Sequence, residues 1–354
     1  MSVSAVIVNF HTSSLLPPLI HDLEADENIS QIIVVDNSND FPETLARDSI
    51  KLACILHNAK NVGFGAAVNQ GITHSDGEWV LVANPDIRIE KNCVGRLMAA
   101  AKYYHTSLTG PRFYLDDGHI FRIPPATGAC FWQDVAMAAS QHCELDASMF
   151  SFYWELRHHR FWEAVEPFVE PFLSGACLLV EKKWIESNAG KLFDERFFLY
   201  YEDTDLCVRA LRDGVRPLCV PGADVIHYYD QSPSPDHSKI SWMGASHRLF
   251  CEKYYAPCSF PEFANSAFPF AIEDNGEISS PPDFYRIPTG YNEKQYIEIG
   301  VNLYFVPFAQ AEMTQPVFRF PSQVWGHLAP GQYYIRIRGS ISGTQKVIQW
   351  KKLS

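Results

Sequence analysis

Over the first 110 residues, short apolar runs alternate with stretches of helical spacing. Val3–Phe10, Gln31–Val35, Leu52–His57 and Trp79–Ala83 are rich in Val, Ile and Leu and bounded by polar turns, so each predicts a strand. Between them, Leu15–Leu23, Phe64–Thr73 and Val94–Tyr104 predict helices. Continuous apolar strands separated by helices imply a mostly parallel sheet covered on both faces, an α/β class. Ligands of such sheets sit beyond the carboxyl ends of the strands. Asn9, Asp36, Asn58 and Asn84 each stand at or just past such an end. One polar strand end is ordinary turn chemistry; four in succession sketch a cleft.

The pattern is weaker in the middle of the chain. Residues 118–170 hold Trp132, Trp154, Trp162 and many Phe, His and Arg residues, with faint helical periodicity near Gln133–Gln141 and Phe150–Phe161. Phe172–Val180 then predicts a strand, Tyr201–Asp213 a helix and Ser241–Tyr255 a closing helix. Residues 256–290, rich in Pro, Ser and Phe, have the composition of an irregular connector. From Gln295 the pattern turns to β over Tyr296–Phe305, Pro316–Phe320, Gln332–Arg338 and Lys346–Trp350, which predicts a small antiparallel sheet. The expected organisation is an α/β domain over 1–255, a connector over 256–290 and a β-rich accessory domain over 291–354.

Composition narrows the function. Apolar residues make up 47% of 354, enough for a real core, and the net charge of −12 argues against nucleic acid as the main partner. An anionic substrate would need a metal or a local basic cluster to receive it. Nine cysteines, an odd number and without a CxxC pair, read as reduced, cytoplasmic thiols rather than a disulfide framework or zinc site. The opening Met-Ser-Val-Ser-Ala-Val-Ile-Val has no basic region before its apolar residues, so no signal peptide is expected, and no apolar run approaches the ~20 residues of a membrane span.

The candidate chemistry centres on Phe193–Arg209, where an aromatic run ends in Glu202, Asp203 and Asp205 and a helical pattern begins. Apolar packing around carboxylates tunes their basicity, as a general base requires; the plainer reading is an acidic helix start favoured by the helix dipole. Asp205 and Arg209, four apart, can pair along the helix, which leaves Asp203 as the base candidate and Glu202 as its supporter. Upstream, Asn84-Pro85-Asp86 follows a strand; a hard carboxylate on a rigid turn suits Mg2+ or Mn2+ held jointly with a diphosphate, although a type I turn also explains it. Asn61–Asn69 places Gly63 and Gly65 at a helix start, where N–H groups can face a phosphate, though ordinary turn chemistry is the commoner explanation. His227 ends another apolar stretch, a position more often filled by a core histidine than by a ligand.

Taken in order, Ala5–Phe10, Val34-Val35-Asp36-Asn37, Asn61–Asn69, Asn84-Pro85-Asp86, Ser174-Gly175-Ala176 and Phe193–Arg209 resemble the inverting family 2 glycosyltransferases, particularly the rhamnosyltransferase-like branch. The match runs over about residues 3–255. The resemblance implies a GT-A (Rossmann-like) fold, a UDP- or dTDP-sugar donor, a divalent metal (Mg2+ or Mn2+) and a glycan or lipid-linked glycan acceptor. It assigns Asp36 to the nucleotide base, and Asn9, Asn61, Gly63 and Asn69 to the nucleotide pocket. Asn84-Pro85-Asp86 stands in the place of the family's DxD motif, with Asp86 on the metal and Asn where the first acid would be. Asp203 matches the base, His227 (with Ser232 after it) the late metal histidine of some relatives, and Arg248 on the closing helix would reach the diphosphate. The aromatic insert falls where relatives build the acceptor site.

Two rivals stand beside this reading. A sugar-nucleotide nucleotidyltransferase would need a basic glycine-rich loop after the first strand, where this chain has His11-Thr12-Ser13-Ser14. A non-catalytic glycan-binding protein on a transferase scaffold would tolerate loss of Asp36, Asp86 and Asp203, all of which are retained. Peripheral membrane contact through a lipid acceptor and homo-oligomer formation are left open.

Overall fold

The computed structural model describes residues 2–128, 130–140, 144–229, 231, 238–255, 272–282, 285–286, 293–303, 305, 308–315, 317–340 and 343–353. Ser232, Pro316 and all of 256–271 lie outside the described residues. Contacts group the chain into two compact units: Met1–Arg112, Ala164–His227 and Gln231–Cys258 in one, Phe113–Glu163, Tyr228–Asp230 and Ser259–Ser354 in the other.

The first unit is built on nine strands: β1 Val3–Asn9, β2 Ile29–Asp36, β3 Leu52–His57, β4 Trp79–Ala83, β5 Ile87–Ile89, β6 Leu108–Tyr114, β7 Phe168–Val169, β8 Cys177–Glu181 and β9 Leu218–His227. Their order is β3-β2-β1-β4-β8-β6-β9-β5, with β7 paired to β9. Strands β3, β2, β1 and β4 run parallel, whereas β4–β8, β8–β6 and β9–β5 are antiparallel. Strands β1, β2 and β4 carry the continuous apolar signal because both of their faces are covered, β1 and β4 along their whole length, whereas β3 at the edge of the sheet is only partly buried. Leu16, Leu19, Ile20 and Leu23 line the buried stripe of helix Leu16–Ala25. Helix Phe64–Ile72 lies so close to the sheet that a Cβ on Gly71 would sit 2.4 Å from Val6 Cγ1. Register then brings Asn9 beside Asp36 and Asp36 beside His57 at one edge.

The expected strand Phe172–Val180 is shorter, Cys177–Glu181, because residues 173–176 turn toward the site described below. Strands β5, β6 and β7 have no counterpart among the expected elements: β5 has three residues and β7 two, and Gly110-Pro111 interrupts the apolar run of β6.

The second unit holds β10 Ile272–Ile278, β11 Tyr285–Arg286, β12 Gln295–Gly300, β13 Phe308–Met313, β14 Val317–Phe318, β15 Gly331–Gly339 and β16 Gly343–Lys352. Five form a sheet ordered β10-β16-β15-β12-β13, and β11 pairs with β14. Alternation sorts its faces: Ile297, Ile299, Ile335, Ile337, Ile348 and Trp350 pack with Leu115 and Phe121 into an apolar core, while Glu298, Gln310 and Arg336 alternate with them and are also buried. Helix Glu144–Glu163 joins this unit, with Phe150 and Trp154 packed on Phe305, Phe308 and Val347. The aromatic insert, expected within the first domain, therefore packs with the C-terminal strands.

The antiparallel expectation needs one correction: β10 pairs in parallel with β16, and it lies inside the supposed connector. Its sequence, Ile-Glu-Asp-Asn-Gly-Glu-Ile, has no apolar alternation because it is an exposed edge strand held by backbone pairing, with the Lys346–Glu273 and Lys351–Glu277 ion pairs of 2.6 and 2.8 Å along its surface. Among the described residues, no helix is long and apolar enough to cross a membrane.

Candidate active site

The carboxyl ends of β1–β3 carry one hydrogen-bonded network. Asn9 Nδ2 donates to Asp36 Oδ1 at 3.0 Å and to Asp40 Oδ1 at 2.7 Å, and Asn9 Oδ1 accepts from the Thr12 N–H and hydroxyl. Burial favours the neutral form of Asp36, but N–H groups of Phe41 and Ser38, together with the Asn9 side chain, outweigh it and hold the carboxyl below its usual range. Both Asp36 oxygens are thus engaged by the 36–41 loop, Oδ1 at Ser38 and Asn39 and Oδ2 at Phe41. Asp36 thereby fixes this loop at the carboxyl end of β2. Asn58 and Asn61 extend the network: Asn58 Nδ2 donates to Asn37 at 2.8 Å, and Asn61 Oδ1 accepts from Asn37 and from the Gly63 N–H.

Helix Phe64–Ile72 begins where glycine is required. Gly63 has φ +91°, and a Cβ there would lie 2.6 Å from the Phe198 carbonyl, which accepts the Phe64 N–H at 2.9 Å. Asn69, expected in the nucleotide pocket, is instead committed to protein. Its Nδ2 donates to Phe193 O and Glu195, and its Oδ1 accepts from Leu192 and Phe193 N–H groups. All four of its hydrogen-bonding positions are used, so it anchors the chain leading to the acids.

Asp86 and His227, separated by 141 positions in sequence, meet at 3.4 Å because β5 and β9 pair with Ile87 opposite His227. Both are nearly buried, at 7% and 8% exposure. Burial raises the Asp86 carboxyl, but the His227 charge and hydrogen bond, with the Gln231 N–H, bring it below its ordinary value. Two positions before Asp86 in the chain, Asn84 Oδ1 is buried without a hydrogen-bond partner. A carboxylate, an imidazole and an orphaned amide oxygen are donors that a divalent Mg2+ or Mn2+ accepts, so the residues present fit a metal.

The segment Ser174-Gly175-Ala176 links this turn to the acids. Ala176 O accepts the Asn84 N–H at 2.9 Å, and the Gly175 N–H donates to Asp203 Oδ2 at 2.9 Å. A Cβ at 175 would stand 3.2 Å from Asp203 Cβ, close enough that one of the two would have to give by a few tenths of an ångström. Asp203 Oδ1 takes the Thr204 N–H at 2.7 Å. Burial raises the Asp203 carboxyl above its usual range even against these donors. Glu202 is 6% exposed, its Oε2 has no partner, and burial with the neighbouring Asp203 charge lifts it to about 8.

The turn that presents these acids is strained and clamped. Tyr200 and Tyr201 both have φ +68°, a left-handed conformation that costs a non-glycine residue roughly 1 kcal/mol or more. Helix Ser238–Tyr254 holds it there: Ser246 Oγ donates to Leu199 O at 2.8 Å, the Trp242 ring lies tilted 5.1 Å from Phe198, and Phe250 and His247 flank Tyr201. Asp205 is fully buried against this helix, bonded to Arg209 at 2.9 Å as its spacing predicted, and also to Lys253 and Tyr254. Arg248, expected at the diphosphate, is exposed on the helix, and the structure does not bring it to the acids. Sequence reading missed Gly175, Ser246 and the two strained tyrosines; the Ser-Gly-Ala triplet and the Tyr-Tyr pair were visible, but their contacts are long-range. A cavity of about 740 Å³, lined by Trp79, Lys102, Ser107 and Glu181 among others, lies at the amino end of β4 and contains none of the candidate residues.

Comparison with known proteins bears on the family of the chain. The family described as "Glycosyl transferase family 2" matches residues 4–187. The N-acetylglucosaminyl-diphospho-decaprenol L-rhamnosyltransferase of Mycobacterium tuberculosis is 28% identical over 240 residues, covering 64% of this chain and 74% of that protein. The dTDP-rhamnosyl transferase RfbF of Shigella flexneri is 24% identical over 64% of this chain and 69% of its own length. A solved mannosyltransferase from Pyrobaculum calidifontis, in complex with GDP-Man and Mn2+, is 13% identical with a TM-score of 0.47, covering 73% of this chain and 65% of that one.

Proposed function

Because the chain belongs to glycosyl transferase family 2 and is a glycosyltransferase, we propose that it moves rhamnose or another hexose from a UDP- or dTDP-sugar to a hydroxyl of a glycan or lipid-linked glycan, inverting the anomeric centre. The named rhamnosyltransferase relatives, one a decaprenol-diphosphate enzyme and one a dTDP-rhamnosyl transferase, support this choice of acceptor and donor. Asp203 takes the proton of the acceptor hydroxyl. The resulting oxygen forms a bond to the anomeric carbon as the bond from that carbon to the diphosphate breaks, and the nucleoside diphosphate leaves from the opposite face. Asp86, His227 and Asn84 would hold Mg2+ or Mn2+, which supplies positive charge to the departing diphosphate when bound. Asn9, Asp36, Asn61 and Gly63 keep the rim of the nucleotide cleft in shape, and Gly175 aims Asp203.

The observation that carries this reading is the chain of backbone contacts from the Asn84 turn through Ala176 and Gly175 to Asp203, since it couples a metal-type turn to a half-buried base. Thermal unfolding with UDP, dTDP or GDP, with and without Mn2+, tests it on wild type and Asp86→Ala. Stabilisation by a nucleotide that requires both Mn2+ and Asp86 is expected, because a ligand of the folded state alone raises its stability. No response from folded protein to any nucleotide would move the case to the non-catalytic glycan binder.

A further inference from the structure

We propose that Glu202 is held as a neutral, proton-bearing acid beside an ionised Asp203, so that the acid pair carries a single negative charge. The inference deepens the transferase reading and rests on it for its kinetic arm only.

The distribution of hydrogen-bond donors separates the two residues. Asp203 receives N–H groups from Gly175 and Thr204 on different oxygens, at 2.9 and 2.7 Å, which stabilise its anion. Glu202 Oε2 is buried and receives none. A buried carboxylate with an empty oxygen is costly, whereas the protonated acid is not. Among the described residues, no cation pairs with Glu202. Helix Phe64–Ile72, where a Cβ on Gly65 would stand 3.8 Å from Glu202 Cβ, contains no charged residue. On the closing helix, Lys253 is taken by Asp194 and Asp205; on the helix Glu202–Arg212 itself, Arg209 is taken by Asp205. The charged neighbour that acts on Glu202 is Asp203 itself, and it opposes a second ionisation.

The arrangement suits its task. Two carboxylates side by side would repel the diphosphate of a sugar nucleotide, while a neutral acid keeps Asp203 as the single base. Pairs whose environments push them to different protonation states divide acid and base roles in this way.

The test has two arms. Infrared difference spectra of nucleotide-free wild type minus Glu202→Gln, at pH 7, should show a protonated-carboxyl band that the variant lacks; Glu202→Met serves as a second reference should the first fail to fold. Absence of that band overturns the inference. In sugar transfer, Glu202→Gln should lose less than about tenfold in kcat/KM, against the ~10²–10⁴ expected of a removed base, and should abolish the alkaline fall of the wild-type pH profile. A loss equal to that of Asp203→Asn, or an unchanged alkaline limb, also overturns it. Wild type without any turnover would defeat the transferase reading and leave the infrared result to decide this one.

Discussion

Glu202 and Glu298 are both withdrawn from water, at 6% and 0% exposure, yet their surroundings push them in opposite directions. Glu298, on the second sheet, accepts from Arg336 at 2.6 Å, Arg338 at 2.8 Å and Gln310 at 2.8 Å, and the two guanidinium charges overcome burial to bring it down to about 2. Glu155 and Ser151 of helix Glu144–Glu163 complete that cluster by meeting the same arginines. Glu202 has the burial without the cations and is lifted to about 8. The difference teaches how one residue type serves two ends. A compensated buried acid fastens a helix to a sheet, and an uncompensated one keeps chemistry available, at a cost in stability that the rest of the first unit supplies.

The comparison breaks most sharply at the base. Asp203→Asn should leave folding and nucleotide binding intact while lowering the transfer rate by about 10³-fold, within the range for a lost general base. A rate within a few fold of wild type, measured by release of nucleoside diphosphate, would remove Asp203 from the mechanism.

Next in size is the clamped acid. Glu298→Ala strands two buried arginines and should cost about 3–5 kcal/mol of stability, read by urea unfolding. The two glutamates also predict opposite pH behaviour. Glu298, depressed to about 2 in the folded state, contributes stability that is present above its ordinary value of 4.5 and lost as pH falls toward 2. Glu202, raised to about 8, binds its proton more tightly folded than unfolded, so its contribution declines as pH rises from 4.5 toward 8. Unfolding free energies of Glu298→Gln should therefore be flatter than wild type on the acid side, and those of Glu202→Gln flatter near neutrality; the reverse pattern would invert the comparison.

A smaller effect separates aim from chemistry. Gly175→Ala puts a Cβ 3.2 Å from Asp203 Cβ, which requires a shift of a few tenths of an ångström. We expect kcat to fall about 10-fold, less than the ~10²-fold of a full 1 Å misplacement, with KM nearly unchanged. A rise in KM alone would place Gly175 in substrate binding. The smallest effect belongs to exposed charge: Lys351→Ala breaks the Glu277 pair on the edge of the second sheet, both partners more than half exposed, and should change stability by no more than ~0.5 kcal/mol. A larger loss would mean that the β10 edge depends on that pair.

The amino-acid sequence by itself determined the parallel half of the first sheet, its helices and the polar strand ends, because burial on both faces demands continuous apolar runs and strand ends demand turn residues. It also marked Asp86, His227, Glu202 and Asp203 as candidates and predicted the Asp205–Arg209 pair, since that pair is local to one helix. Tertiary structure alone decided the rest. The 3.4 Å approach of Asp86 and His227 depends on the pairing of β5 with β9, and the role of Asn69 depends on a segment more than 120 positions away. The packing of the insert with the C-terminal strands and the unlike protonation of Glu202 and Glu298 follow the same rule. A carboxyl's charge state is set by the donors, cations and water around it, and folding brings those neighbours from distant parts of the chain.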